Sequence, residues 1–137
     1  VAKYNLEDYY GAIADYNRAI EIKPMYVEAY SNRGISKRKL EDYYGAIADY
    51  NKAIEIDPRF SMAYNNRGWS KYMLEDYYAA IADFSKAIEM DSSNPWAYRN
   101  RGLAKENLGD MKGACADWRE ASYLGDQDAA QWVRNQC

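Results

Sequence analysis

The chain repeats itself every 34 residues, and no other property of the sequence constrains its fold so tightly. Leu6 to Pro24 returns as Leu40 to Pro58, and these two blocks differ only at Arg18/Lys52 and Lys23/Asp57. The block returns at Leu74 to Ser92 and, degraded, at Leu108 to Asp126. Between blocks a second motif recurs as Ala29-Tyr-Ser-Asn-Arg-Gly34, Ala63-Tyr-Asn-Asn-Arg-Gly68 and Ala97-Tyr-Arg-Asn-Arg-Gly102. A unit this short cannot bury an apolar face alone; it must stack on its neighbours.

Each unit reads as two helices. Ala46, Ile47, Tyr50, Ala53 and Ile54 recur at spacings of three and four, a helical stripe and not a strand alternation. Asp8, Asp42, Asp76 and Asp110 precede each second helix, where a carboxylate can cap free backbone N–H groups. Pro24 and Pro58 follow the ends of those helices, and Ser93-Asn94-Pro95 reads as a cap with proline at the first helical position. Short turns between such helices make them antiparallel hairpins. The expectation is an all-α solenoid built of antiparallel helix pairs. Its parts are a first repeat over 1–26 lacking most of its first helix, repeats over 27–60, 61–94 and 95–125, and a capping helix over 126–137.

The motifs resemble those of tetratricopeptide repeats along essentially the whole chain. Tyr30, Tyr64 and Tyr98 match the family's first aromatic, and Gly34, Gly68 and Gly102 its glycine. Ala12, Ala46, Ala80 and Ala114 match the small residue of the second helix, and Tyr16, Tyr50, Phe84 and Trp118 its phenylalanine. Glycine and alanine are expected where the two helices cross closely. The resemblance implies a right-handed superhelix whose first helices line a concave groove that holds a peptide or partner protein. Two departures are systematic: Arg33, Arg67 and Arg101 stand in the family's leucine slot, and Lys37, Lys71 and Lys105 in its second tyrosine slot. In this the chain looks like the looser NRG-type bacterial repeats.

Those arginines recur with Asp15, Asp49, Asp83 and Asp117 on the facing helix, which predicts a ladder of ion pairs through Asp15, Arg33, Asp49, Arg67, Asp83 and Arg101. Buried charges without partners would each cost several kcal/mol. Pairing can run within a repeat, Arg33 with Asp49, or onward, Asp49 with Arg67; the second is favoured because it would fix the register between neighbours.

Residues of the first helices that vary between repeats are free to serve a partner. In the third repeat these are Met62, Asn65, Trp69, Tyr72 and Met73; beside them lie Ile35, Arg38 and Lys39 on one side and Trp96, Arg99 and Leu103 on the other. They form the expected groove, for an extended or helical peptide with apolar anchors and an acidic group near Arg38 and Lys39. Packing of Trp69 and Trp96 on adjacent helices is the duller alternative. The carboxylate clamp known in this family needs lysines and asparagines on the first helices. Its lysine sites here hold Ser31, Asn65 and Arg99, or Glu28, Met62 and Trp96; Asn32 and Asn66 could supply one asparagine, but the site of the other holds Ile35, Trp69 and Leu103. That clamp is not expected.

Other functions are less well supplied. The chain has no histidine, which removes the commonest general base and metal ligand. Its aspartates recur at the repeat spacing, as structural residues do. No enzyme, cofactor or metal site is expected. With 18 basic against 21 acidic residues, the net charge of −3 disfavours nucleic acid, although Lys37-Arg38-Lys39 among aromatics keeps an RNA-binding helical repeat as an alternative, beside a purely structural or oligomerising module. No apolar run approaches a membrane span, Val1-Ala-Lys-Tyr does not read as a signal peptide, and a cytoplasmic setting is expected. The missing first helix suggests a piece of a longer protein. It should expose Ala12, Tyr16 and Ala19, an apolar face expected to promote self-association. Cys115 fills an isoleucine slot, consistent with a small buried apolar residue. The turn at Leu124-Gly125-Asp126 nevertheless lies midway to Cys137, so an antiparallel pair would bring the thiols together. Bonded and free states both remain open.

Overall fold

The structure, a computed structural model, describes residues 2–137, with side chains described from Leu6 onward. The described chain forms eight helices: α1 Ala2–Ile22, α2 Val27–Lys39, α3 Tyr43–Ile56, α4 Ser61–Met73, α5 Tyr77–Met90, α6 Pro95–Asn107, α7 Met111–Tyr123 and α8 Gln127–Gln136. Each packs chiefly on the helix before and the helix after it, the signature of an all-α solenoid. Weaker contacts join α2 to α4 and α4 to α6, so the first helices of successive repeats lie side by side.

One short motif closes each first helix and opens the second. After Lys39, the Glu41 N–H donates to the carbonyl of Arg38 at 2.9 Å and the Asp42 N–H to that of Lys37 at 2.8 Å, closing the last turn of α2. This bend puts Glu41 at φ 63°, Glu75 at φ 64° and Gly109 at φ 83°. The next residue then caps the following helix: Asp42, Asp76 and Asp110 accept from the N–H groups of Gly45, Ala79 and Gly113. Asn94 accepts from Trp96, with Pro95 in the first turn of α6. Asp8 departs from the pattern. It lies inside α1, which runs unbroken through the Leu6-Glu7-Asp8 segment, because no earlier helix in the described chain requires a reversal there.

The core is a line of small residues against aromatics. Ala46, Tyr50, Ala53 and Ala63 form one buried cluster, and Ala114, Cys115, Trp118, Ala121 and Ala129 another. The tight crossing differs from the expected glycine–alanine contact: the glycines face the aromatic rings. A Cβ on Gly34 would stand 2.6 Å from Tyr50 and one on Gly68 2.8 Å from Phe84, and Trp118 crowds Gly102 in the same way. Ala12, Tyr16 and Ala19 are half-buried, not exposed as expected, because α2 packs on α1; Leu6 and Tyr10 of α1 are exposed.

Cys115 and Cys137 are bonded, with 5.9 Å between their Cα atoms. The turn at Gly125, at φ 104°, folds α8 back along α7, and Trp132 tilts against Trp118 with ring centres 5.2 Å apart.

Candidate functional site

The recurrent charges form structural triads within each repeat, in a register other than the favoured one. The Nε and Nη2 groups of Arg33 donate to Asp49 at 2.9 and 2.6 Å; Arg67 grips Asp83 at 2.9 and 2.7 Å, and Arg101 grips Asp117 at 2.8 and 2.7 Å. Asp49 therefore pairs with Arg33, not Arg67. A bidentate fork needs coplanar approach, and only the facing helix of the same hairpin offers it. Asp15 is exposed and pairs with no arginine among the described residues, since the position sixteen residues earlier falls outside the sequence. A third member was missed, although its recurrence was visible: Lys37, Lys71 and Lys105 reach the same carboxylates at 3.1, 3.0 and 3.0 Å. Each guanidinium also lies over a ring, Tyr30, Tyr64 or Tyr98, at 5.4, 5.3 and 5.6 Å. The hydrogen bonds to Asp49, Asp83 and Asp117 hold the three arginines above their ordinary pKa, against the opposing effect of burial.

The link between repeats comes from the remaining arginine nitrogen. Nη1 of Arg33, Arg67 and Arg101 donates to Asn17, Asn51 and Ser85 on the preceding second helix, at 2.8, 2.9 and 3.1 Å. Each arginine thus ties three helices together.

With those side chains committed to structure, the variable face of α2, α4 and α6 remains. A groove of about 340 Å³ opens there, lined by Arg38, Lys39, Asn65, Asn66, Trp69, Trp96, Arg99 and Asn100. Six of its residues are among those expected from sequence; Asn66, considered only as an asparagine of the absent clamp, and Asn100, which recurs in the repeat motif, are not. Ile35 and Leu103 instead pack against the core clusters beneath, since their positions turn toward α3 and α7. Met62, Tyr72 and Met73 do not line the groove. Tyr72 stacks on Trp69 with ring centres 5.0 Å apart, meets Tyr77 edge-on at 5.4 Å, and its hydroxyl accepts from Asn107 at 3.0 Å. This stack holds the Trp69 ring half-buried, whereas Trp96 is 52% exposed.

The floor of the groove is polar and incompletely satisfied. Asn65, Asn66 and Asn100 are 4, 7 and 6% exposed. Asn65 Oδ1, Asn66 Nδ2, Asn100 Oδ1 and Arg38 Nε have no hydrogen-bond partner among the described residues. Arg38 and Lys39 form no ion pair among the described residues, while Arg99 donates to Asp126 at 3.1 Å and lies 3.6 Å from Asp128. The groove is therefore cationic at its α2 end and neutralised at its α6 end. Its chemistry is that of binding: aromatic walls, amides and cations, with no nucleophile–base pair.

Family models described as tetratricopeptide repeat match residues 27–60 and 49–82, and one described as TPR repeat matches residues 2–40 and 70–109. Among solved structures the chain is similar to MamA, at TM-score 0.85 and 23% identity over 93% of this chain and 75% of that one. It is similar to the Arabidopsis OM64 TPR domain, at 0.76 and 28% over 81% and 96%, and to the first TPR of Spaghetti (RPAP3) bound to the HSP90 peptide SRMEEVD, at 0.76 and 24% over 80% and 88%. The comparison with curated proteins gives no significant match.

Proposed function

The chain belongs to the tetratricopeptide repeat family and is a protein-interaction scaffold, and on that premise we propose that the face of α2, α4 and α6 holds an extended peptide, with an apolar side chain beside Trp69 and Trp96 and an acidic group toward Arg38 and Lys39. The observation that carries this reading is the groove floor. Arg38 Nε and Asn66 Nδ2 are donors, and Asn65 and Asn100 each offer a carbonyl oxygen, with amide orientations that can exchange the two roles. An extended backbone presents alternating N–H and C=O groups that complement such a row. These atoms are shielded from solvent in the ligand-free protein, and a buried polar atom left unpaired costs about 1–3 kcal/mol, so a ligand toward which the amides turn gains both affinity and orientation. Tryptophan and arginine are also the types that most often dominate binding energy at interfaces. The neighbour from Spaghetti is bound to a peptide, SRMEEVD, which supports a peptide as the class of partner.

Selection of random peptides displayed against the full chain tests the proposal. Recovered sequences should pair an apolar residue with an acidic one, and Trp69→Ala should weaken their binding about 30-fold, the factor for a hot spot of about 2 kcal/mol. Helical content by circular dichroism should be retained. Peptides that bind Trp69→Ala as tightly as the parent chain would place the site elsewhere.

A further inference from the structure

Resting on the groove as the peptide site, we propose that the Cys115–Cys137 disulfide is a redox latch that sets the charge of that groove. While it is closed, α8 keeps Asp126 and Asp128 on Arg99; its reduction releases α8 and frees Arg99 for a carboxylate of the ligand.

Of the three cations lining the groove, Arg99 is the one with carboxylate partners among the described residues, and both come from the start of α8. Asp126 does two jobs: one oxygen accepts from Arg99, and the other caps α8 by accepting from the Ala129 N–H at 2.8 Å. The Asp126 N–H also donates to the Ala121 carbonyl at 2.9 Å, so uncapping α8 removes one of the two side-chain anchors of that carboxylate and carries Asp128 away from Arg99. At ten residues α8 is too short to be helical by itself, so its order depends on docking. It docks chiefly on α7, through Ala129, Trp132 and Val133, and its far end is tethered by the disulfide.

The tether is accessible from one side. Cys115 is buried on α7, while Cys137 caps the end of α8 and is exposed. A thiolate of a dithiol reductant can attack the Cys137 sulfur, breaking its bond to Cys115; the second thiol of the reductant then displaces Cys137. The reductant leaves as its own disulfide, and the two electrons and two protons it gives up appear on the Cys115 and Cys137 thiols. Opening a bond that closes a 22-residue span removes the constraint that opposes fraying of α8.

Labelling by phenylglyoxal, an arginine-selective dicarbonyl, read by mass spectrometry, tests the latch without any ligand. Dithiothreitol should release two thiols and raise labelling of Arg99 about fivefold, the factor for losing a partly buried ion pair. Arg67, remote from α8 and gripped by Asp83, should not change. Cys137→Ser without reductant should match the reduced protein. Equal labelling of Arg99 in both states, with two thiols titrated, would overturn the latch. For a groove-selected acidic peptide, reduction should tighten binding to the parent chain and not to Arg99→Gln; tightening that persists in Arg99→Gln would also overturn it. Insensitivity of that peptide to Trp69→Ala would instead defeat the groove assignment, leaving the labelling result to decide the latch.

Discussion

Asp83→Asn removes one charge while keeping the shape of the side chain, and should destabilise the protein far more than the loss of a surface ion pair. Asp83 is 5% exposed and accepts from Arg67 at 2.9 and 2.7 Å and from Lys71 at 3.0 Å. The amide can accept through only one oxygen, and it leaves two cations side by side with nothing to neutralise them. Breaking a buried pair costs about 3–5 kcal/mol. The Arg67 side chain remains 18% exposed, so water recovers part of that, and the low end, about 3 kcal/mol, is expected. Urea unfolding is the appropriate assay, because guanidinium salt would screen the effect. The midpoint should fall at unchanged slope, and Glu55→Gln, which removes the exposed partner of Lys52, should leave it within error. A double-mutant cycle with Arg67→Gln should return a coupling of about 2 kcal/mol or more. A cost for Asp83→Asn below about 1 kcal/mol, the range of solvated pairs, would refute the reasoning that these triads behave as buried ion pairs.

Other substitutions probe the packing and the turns. Gly68→Ala drives a methyl group to within 2.8 Å of Phe84 and should cost about 1–3 kcal/mol by thermal unfolding; stabilisation, the usual effect of alanine in a helix, would show that the ring can yield. Glu75→Gly relieves a left-handed backbone, as Gly109 does one repeat later, and should stabilise the protein by about 0.5–1 kcal/mol, read as a higher urea midpoint; a lower midpoint would mean that the Glu75 side chain contributes to the turn. Burial raises the Tyr50 phenol well above its ordinary pKa, and the nearby Arg38 cation only partly offsets this. The unfolded chain then loses the Tyr50 proton first, so stability should fall as pH rises through about 10, and Tyr50→Phe should lessen that alkaline loss. An unchanged pH profile in Tyr50→Phe would assign the loss to other groups.

The helices were legible because the period and the stripe within it repeat the same information several times. Asp8 was misplaced by that redundancy: the motif matched, but a turn also needs a helix to turn back from. The ion-pair register was not legible, since Asp49 stands sixteen residues after Arg33 and eighteen before Arg67, and both offsets recur with the period. Only the rotation of each helix about its axis chooses between them. Asn17, Asn51 and Ser85 were overlooked for the same reason. In the groove, variation between repeats pointed to Trp69, Trp96 and Arg99, but variation cannot separate a rim residue from one that turns under it, as Ile35 and Leu103 do. The unpartnered amides of Asn65, Asn66 and Asn100 carry no mark in one dimension. Neither does the hold of Asp126 on Arg99, because α8 lies where the period ends.

The central claim, that an extended peptide satisfies the groove floor, is tested most directly by the side-chain amide resonances of the asparagines. In a nuclear magnetic resonance titration with a display-selected peptide, the NH₂ signals of Asn65, Asn66 and Asn100 should shift together along the curve that reports binding. They should also exchange more slowly with solvent once bonded. A peptide that saturates the protein while these three pairs of signals stay unmoved, with changes gathered elsewhere on the solenoid, would contradict the account.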